Sequence, residues 1–201
     1  MSWSMIRVFF RETYDELFRL VVANLCWLGL SLPVVTWPAA TLALYEFAHG
    51  VLTHQDPEYS VLWRGVRKWF WRSFVVFALL GLSLLLPAVG VVFYLRWAQS
   101  GALVAYALFA LNFWVLVFVL LCQVYFIPLL VHQGISIGKA LKRSALMVLY
   151  RPAASLVVFA LSAFLWVLGF VAPPYLVFLF ASTVAMLKTT ALLVGLEEYE
   201  D

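Results

Sequence analysis

Apolar and polar positions come in blocks along this chain, and each block has its own periodicity. Residues 3–20 mix them at helical spacing. Ile6, Phe10, Tyr14, Leu17 and Val21 fall on one face, and Arg7, Arg11, Asp15 and Arg19 on another. Arg11/Asp15 and Asp15/Arg19 stand at i,i+4. The pattern predicts an amphipathic helix in the headgroup region; the alternative is an extension of the first span past the membrane surface. Two apolar runs follow, about 20–36 and 38–52. Pro33 sits near the end of the first, where a lost backbone hydrogen bond matters least. Pro38 suits the first turn of a returning helix. Both runs are short against the roughly 20 residues of a spanning helix. Two short spans are the expectation, with a re-entrant hairpin as the alternative.

Asp56-Pro57-Glu58 reads as a helix start, with Asp as N-cap and Pro in the first turn. Beyond it Arg64, Arg67, Lys68 and Arg72 share one face, and Leu62, Val66 and Trp69 another. This basic helix feeds into an apolar run at about 73–94. The next apolar run, about 102–131, carries Pro128 near its end. A second basic helix follows, with Ser136 as its cap and Lys139, Lys142 and Arg143 as its charges. A fifth run covers about 153–171, Pro173-Pro174 mark a turn, and a sixth covers about 175–196, before an acidic tail of Glu197, Glu198, Glu200 and Asp201. Arg64-x-x-Arg67-Lys68 matches Lys139-x-x-Lys142-Arg143 in spacing. That match reads as repeat units 1–55, 56–131 and 132–201 within a single membrane domain, 1–201. Independent recurrence of basic amphipathic helices explains it equally. The fold expected is an all-α polytopic membrane bundle: about six transmembrane helices as three hairpins, with amphipathic basic helices on the cytoplasmic side.

Composition fixes the solvent. Of the 201 residues 66% are hydrophobic and 11% charged, with mean hydropathy +1.01. A soluble domain keeps about a quarter of its residues charged, so lipid must face most of this chain. The net charge of +3 does not point to nucleic acid, because the cations stand beside the apolar runs. Twelve of the thirteen lie on one side of a six-span arrangement, and Arg96 alone on the other. This places both termini in the cytoplasm. The outward connections, around Thr36, Gln99 and Pro173, are short. The N-terminal segment is charged and amphipathic and shows no cleavage site, so the first span is expected to act as an uncleaved anchor. Cys26 and Cys122 both lie in apolar runs and form neither a disulfide framework nor a zinc site.

Ionisable groups inside a span are functional candidates, because each costs roughly 2.5–3.5 kcal/mol on insertion scales. Glu46 and Lys188 each lie about eight residues, or about 12 Å, from the cytoplasmic end of their runs, at a depth where they can pair. Asn24 and Gln123 fall in the same third, and His49 is one turn from Glu46. Three readings fit this polar cluster: a cavity for a proton or solute, a structural ion pair holding hairpins together, or a Lys188 that snorkels. Glu46-x-x-His49 is half of a di-iron carboxylate motif whose other half is missing. No metal site, cofactor site or catalytic motif is present, and an enzyme is not expected. The basic residues Arg64, Arg67, Lys68, Arg72, Lys139, Lys142 and Arg143 serve either as anchors on anionic headgroups or as a docking face for a neighbouring membrane complex. Ala39/Ala43 and Ala181/Ala185 have the spacing for close helix contact.

The stretch Asn24-Leu25…Trp27…Leu30-Ser31-Leu32-Pro33-Val34-Val35-Thr36, followed by Pro38-Ala39-Ala40-Thr41…Ala43-Leu44-Tyr45, resembles the YesL-like family of bacterial integral membrane proteins. The likeness runs on through Trp63 and Phe70 and covers about the first third of the chain. Trp37-Pro38 departs from the glycine that many members carry in this turn. The family is a domain of unknown function with no established catalytic residues. The resemblance implies a multi-pass protein of a bacterial plasma membrane, acting as an accessory to a carbohydrate ABC-type importer. The alternative is a small-solute or proton-coupled transporter working through the Glu46/Lys188 layer.

Overall fold

The computed structural model describes residues 2–55, 57–99 and 101–200, with side chains described from Ile6 to Leu196. Asp56, expected as a helix cap, and the side chains of the acidic tail lie outside the described residues. The described residues form helices and no strand: α1 (Ser2–Asp15), α2 (Leu17–Ser31), α3 (Trp37–Leu52), α4 (Ser60–Ala98), α5 (Leu103–Gln133), α6 (Ile137–Tyr150), α7 (Pro152–Val171), α8 (Pro173–Phe178) and α9 (Phe180–Glu200). The all-helical class holds. Three helices, α4, α5 and α7, are long and apolar enough to cross a membrane. The other apolar stretches, Leu17–Ser31 and Phe180–Leu196, are shorter.

Local chemistry accounts for most boundaries. The expected N-terminal helix breaks at Glu16, so α1 and α2 are separate. The break also changes the ion pairs: Arg19 reaches Glu16 at 3.2 Å and Arg11 reaches Glu12 at 3.3 Å, in place of the expected pairs through Asp15. Helix α2 stops at Ser31: Leu32 keeps α-region dihedrals and bonds back to Gly29, but Pro33 has no N–H with which to continue the hydrogen-bond ladder. Pro38 stands in the first turn of α3, where its missing N–H costs nothing. Helix α4 starts at Ser60 rather than beside Pro57, and runs unbroken through the basic stretch and the apolar stretch for 39 residues. Pro128 does not end α5, which continues to Gln133 and closes on Gly134 at φ +59, a left-handed cap that glycine adopts without strain. Ser136 occupies the cap position of α6 but its hydroxyl makes no cap bond. Pro173 and Pro174 open α8 instead of forming a turn, and the chain breaks again at Leu179.

Helix α3 is the centre of the bundle, with eleven of its 16 residues buried. It packs antiparallel to the first half of α4. Trp37 meets Phe77 with ring centroids 5.4 Å apart, and Phe47 stacks on Tyr59 at 5.8 Å. Between them Ala43 faces Gly65 so closely that a Cβ on Gly65 would lie 2.7 Å from that of Ala43. Ala39 and Ala43 are both fully buried, as their small-residue spacing suggests. Much of the remaining core comes from Leu121–Leu130 of α5 and Ala185–Leu192 of α9, with Leu20 and Ala23 of α2, Ala140 and Val148 of α6 and Val158 of α7 added to it. The second half of α4 pairs instead with α5, antiparallel to it, from Gln123 back to Asn112. There Gln123 Nε2 donates to the Leu80 carbonyl at 3.3 Å, and a Cβ at Gly90 would collide with the Asn112 amide.

This packing does not bring the turn near Thr36 level with the turn near Gln99. The first lies abreast of Phe77, and Phe77 is 21 residues, about 32 Å along the helix, from Ala98. The two expected outward connections are therefore at different heights in the molecule.

Candidate functional site

The α3–α4 contact builds the main polar site. Because Ala43 and Gly65 let the two backbones approach, the next turn of α4 brings Lys68 and Trp69 onto Glu46. Lys68 Nζ and Trp69 Nε1 each donate to the Glu46 carboxylate at 2.8 Å, one to each oxygen. Trp69 is 3% exposed, whereas the Lys68 side chain is more than half in the open. The indole also carries two cations over its ring: Lys68 Nζ at 5.0 Å and the Arg72 guanidinium at 5.3 Å. Arg72 in turn donates to the Ile135 carbonyl at 2.5 Å, in the loop after the left-handed Gly134. Arg143 of α6 donates to Gln133 at the end of α5. One polar layer thus ties α3, α4, α5 and α6 together.

Glu46 is a carboxylate held by a charge-assisted bond and a buried indole, an arrangement that fixes it in place. An exposed ion pair of this sort contributes about 0–1 kcal/mol. The indole bond to a charged acceptor adds roughly 1.5–3 kcal/mol. Among the described residues no ion pair joins Glu46 to Lys188. The expected pairing fails because α4, which packs along α3, puts Lys68 in the place that sequence depth assigned to Lys188. Lys188 stands half-buried on α9, after the fully buried Met186 and Leu187.

The other candidates separate in the same way. Asn24 is fully buried, and it bonds the break between α8 and α9. Its Nδ2 donates to the Val177 carbonyl at 2.6 Å, and its Oδ1 accepts from the N–H groups of Ala181 (2.9 Å) and Ser182 (3.1 Å). It therefore satisfies the orphan donors of the first turn of α9 from another helix. Gln123 serves the α4–α5 pair. His49 does stay near Glu46, one turn along α3, and meets a partner that sequence spacing did not reveal: His132 of α5, with ring centroids 4.2 Å apart. His49 Nε2 and His132 Nδ1 are buried and have no hydrogen-bond partner. Burial first, then the neighbouring His132, holds the His49 imidazole below its ordinary range, while Glu46 pulls the other way.

Of the five polar residues grouped from sequence, four are thus distributed over three separate contacts, Glu46 with His49 at one, Asn24 at another and Gln123 at the third, and Lys188 joins none of them. Lys68, Trp69, His132 and the Arg72–Ile135 bond are the members that reasoning from sequence missed. Only the four-residue spacing of Lys68 and Arg72 around Trp69 hinted at them. No group of three or more potential metal ligands occurs among the described residues. The cations remain outside the core: Arg64, Arg67, Lys68, Lys139, Lys142 and Arg143 are exposed, and Arg72 is half-buried.

An open cleft of about 340 Å³ lies between α2 and the start of α4, lined by Cys26, Gly29, Leu30, Tyr59, Leu62 and Trp63. Its lining is almost wholly apolar and carries no charged group. No family model matches the chain, and no similar curated protein or solved structure is found.

Proposed function

We propose that this chain is an accessory integral membrane protein without catalytic activity, anchored by the α4–α5 hairpin and engaging a neighbouring membrane complex through its basic face. The observation that carries the reading is the division of α4. Residues 74–95 are almost wholly apolar and, apart from Val76 and Pro87, exposed or partly exposed, and they are flanked by Trp71-Arg72 at one end and Arg96-Trp97 at the other. The 24 residue steps from Arg72 to Arg96 measure about 36 Å. That matches a hydrocarbon core of about 30 Å with an aromatic and basic girdle at each interface. Residues 60–72 are then outside the hydrocarbon, on the cytoplasmic side by the excess of cations. Two crossings return the chain to that side and leave both termini there. α7 presents Phe164, Val167 and Phe170 to lipid. The six-span arrangement adds crossings by α2, α3, α7 and the stretch 175–196, which this reading does not need.

The basic face is built from α4 and α6, held in fixed relation by the Arg72–Ile135 and Arg143–Gln133 bonds. Such a rigid set of exposed cations suits anionic headgroups and an acidic protein surface alike. The YesL-like resemblance suggests a carbohydrate importer in a bacterial plasma membrane as the complex. Affinity purification from native membranes tests this. A specific membrane complex should accompany the protein. It should be lost in the double variant Arg64→Glu/Arg67→Glu, which leaves Lys68 on Glu46, while the protein stays in the membrane. Purification of the wild-type chain alone, or retention of the complex by the variant, removes the proposal.

A further inference from the structure

The turn between α2 and α3 exposes an apolar tip. Leu32 is 82% exposed and Val34 81%, with Val35 and Trp37 beside them also in the open. Four large apolar side chains at one loop tip are unfavourable in water. Trp37 packs on Phe77, five residues beyond Arg72 along α4. The tip therefore sits about 8 Å past the girdle that ends the basic half, level with the first exposed apolar turn of the spanning stretch, where Phe74 and Val75 face outward. Exposed apolar side chains thus stand at the tip and on that turn of α4 at about the same level, joined through the Trp37–Phe77 contact.

The backbone of the turn is built for a dry setting. The Thr36 hydroxyl is shared between the carbonyls of Leu30 and Pro33, at 2.7 Å from the latter. The Thr36 N–H donates to the Pro33 carbonyl at 2.9 Å, and the Leu32 N–H to the Gly29 carbonyl at 3.4 Å. Pro33 and Pro38 have no N–H to satisfy. A non-helical segment below the headgroups must meet its own polar groups, and here the Thr36 hydroxyl, two backbone bonds and two prolines meet part of that need.

We infer that residues 32–37 form a wedge inserted into the acyl region of the cytoplasmic-side leaflet, so that α2 and α3 make a re-entrant hairpin and neither crosses the bilayer. The inference rests on the proposal that residues 74–95 cross. The depth of about 8 Å equals that of interfacial amphipathic helices, about 5–10 Å. The occupant of the exposed tip is lipid acyl chain, because the tip stands level with the exposed apolar turn of α4.

Cysteine mapping in sealed vesicles of both orientations tests it, in a background of Cys26→Ala and Cys122→Ala. Val34→Cys and Leu32→Cys each replace an exposed side chain, so that one can stand in if the other misfolds. Both should resist a charged maleimide from either face and react with a lipid-soluble one. Gln99→Cys should react with the charged reagent from the far face only. Labelling of Val34→Cys by the charged reagent from the far face would establish two full spans and overturn the inference. Labelling from the near face would put the tip in water, and silence to both reagents would mean protein cover; either also overturns it. Failure of Gln99→Cys to react from the far face instead removes the crossing of α4 itself, a separate result.

Discussion

The two halves of α4 are one continuous helix with opposite environments. In residues 60–76 the buried positions are Leu62, Gly65, Val66, Trp69, Ser73 and Val76, a stripe at helical spacing pressed against α3. In residues 77–98 only Pro87 and Ala98 are buried, while Leu82, Leu85, Leu86, Val89, Val92 and Phe93 are each more than half exposed. The more apolar half is the more exposed. In water that order is reversed, because exposed apolar surface costs roughly 25 cal/mol per Å². The first half is held by protein packing, and the exposed apolar surface of the second is compatible with the lipid contact proposed for it.

The comparison breaks most sharply if charge is moved between the halves. Leu86→Arg, 14 residues from Arg72 and 63% exposed, should cost about 2.5–3.5 kcal/mol of insertion. Membrane fractionation should find much of the variant outside the bilayer, whereas Trp63→Arg in the basic half should insert normally.

Steric load should show the opposite asymmetry. Gly65→Leu drives a side chain into Ala43 and should lower stability by about 1–3 kcal/mol. Gly81→Leu, where a Cβ meets open space, should change it little. Thermal unfolding in detergent separates the two, and equal losses would mean that α3 and α4 do not pack as described.

A smaller effect is expected from Glu46→Gln, which keeps an acceptor for Trp69 and removes the charge that holds Lys68. The loss should be about 0–1 kcal/mol, visible as a small fall in midpoint that vanishes in a Lys68→Ala background.

The smallest effect concerns His49. Its imidazole is held below the ordinary value of 6.5 when folded, so the unfolded chain takes up its proton first as pH falls. Stability from this group is complete above about pH 6.5 and declines as pH drops through the lower folded value. Melting in detergent between pH 7.5 and 5.5, conditions chosen around about 6.5, should show this decline in the wild type and a flatter profile in His49→Leu.

Much of the molecule was legible in advance. The basic helix running into an apolar run was visible because a side-chain face and a hydropathy block are both local properties, and α4 follows them without a break. The prolines placed the end of α2 and the first turn of α3 through backbone geometry alone. The Ala39/Ala43 spacing marked a close contact but not its partner, Gly65. The site was less legible. Depth along a run suggested Lys188 for Glu46, but two groups at equal depth meet only if their helices are neighbours on facing sides. The antiparallel packing of α4 on α3 gave that place to Lys68. Asn24 looked like one more intramembrane polar group, and only the break at Leu179, on another helix, gave it donors to accept from.

By itself the sequence determined the helical class and the patterning of its elements: with 11% of residues charged and 66% hydrophobic the composition is compatible with lipid, a medium in which an apolar run closes its own hydrogen bonds as helix. The tertiary structure decided which apolar surface packs against protein and which is left exposed, and which charges meet. Composition cannot make those choices, because a leucine on α3 and a leucine on α4 have the same chemistry. The difference lies in the close approach of Ala43 to Gly65, which draws one half of α4 into the core and leaves the other outside it.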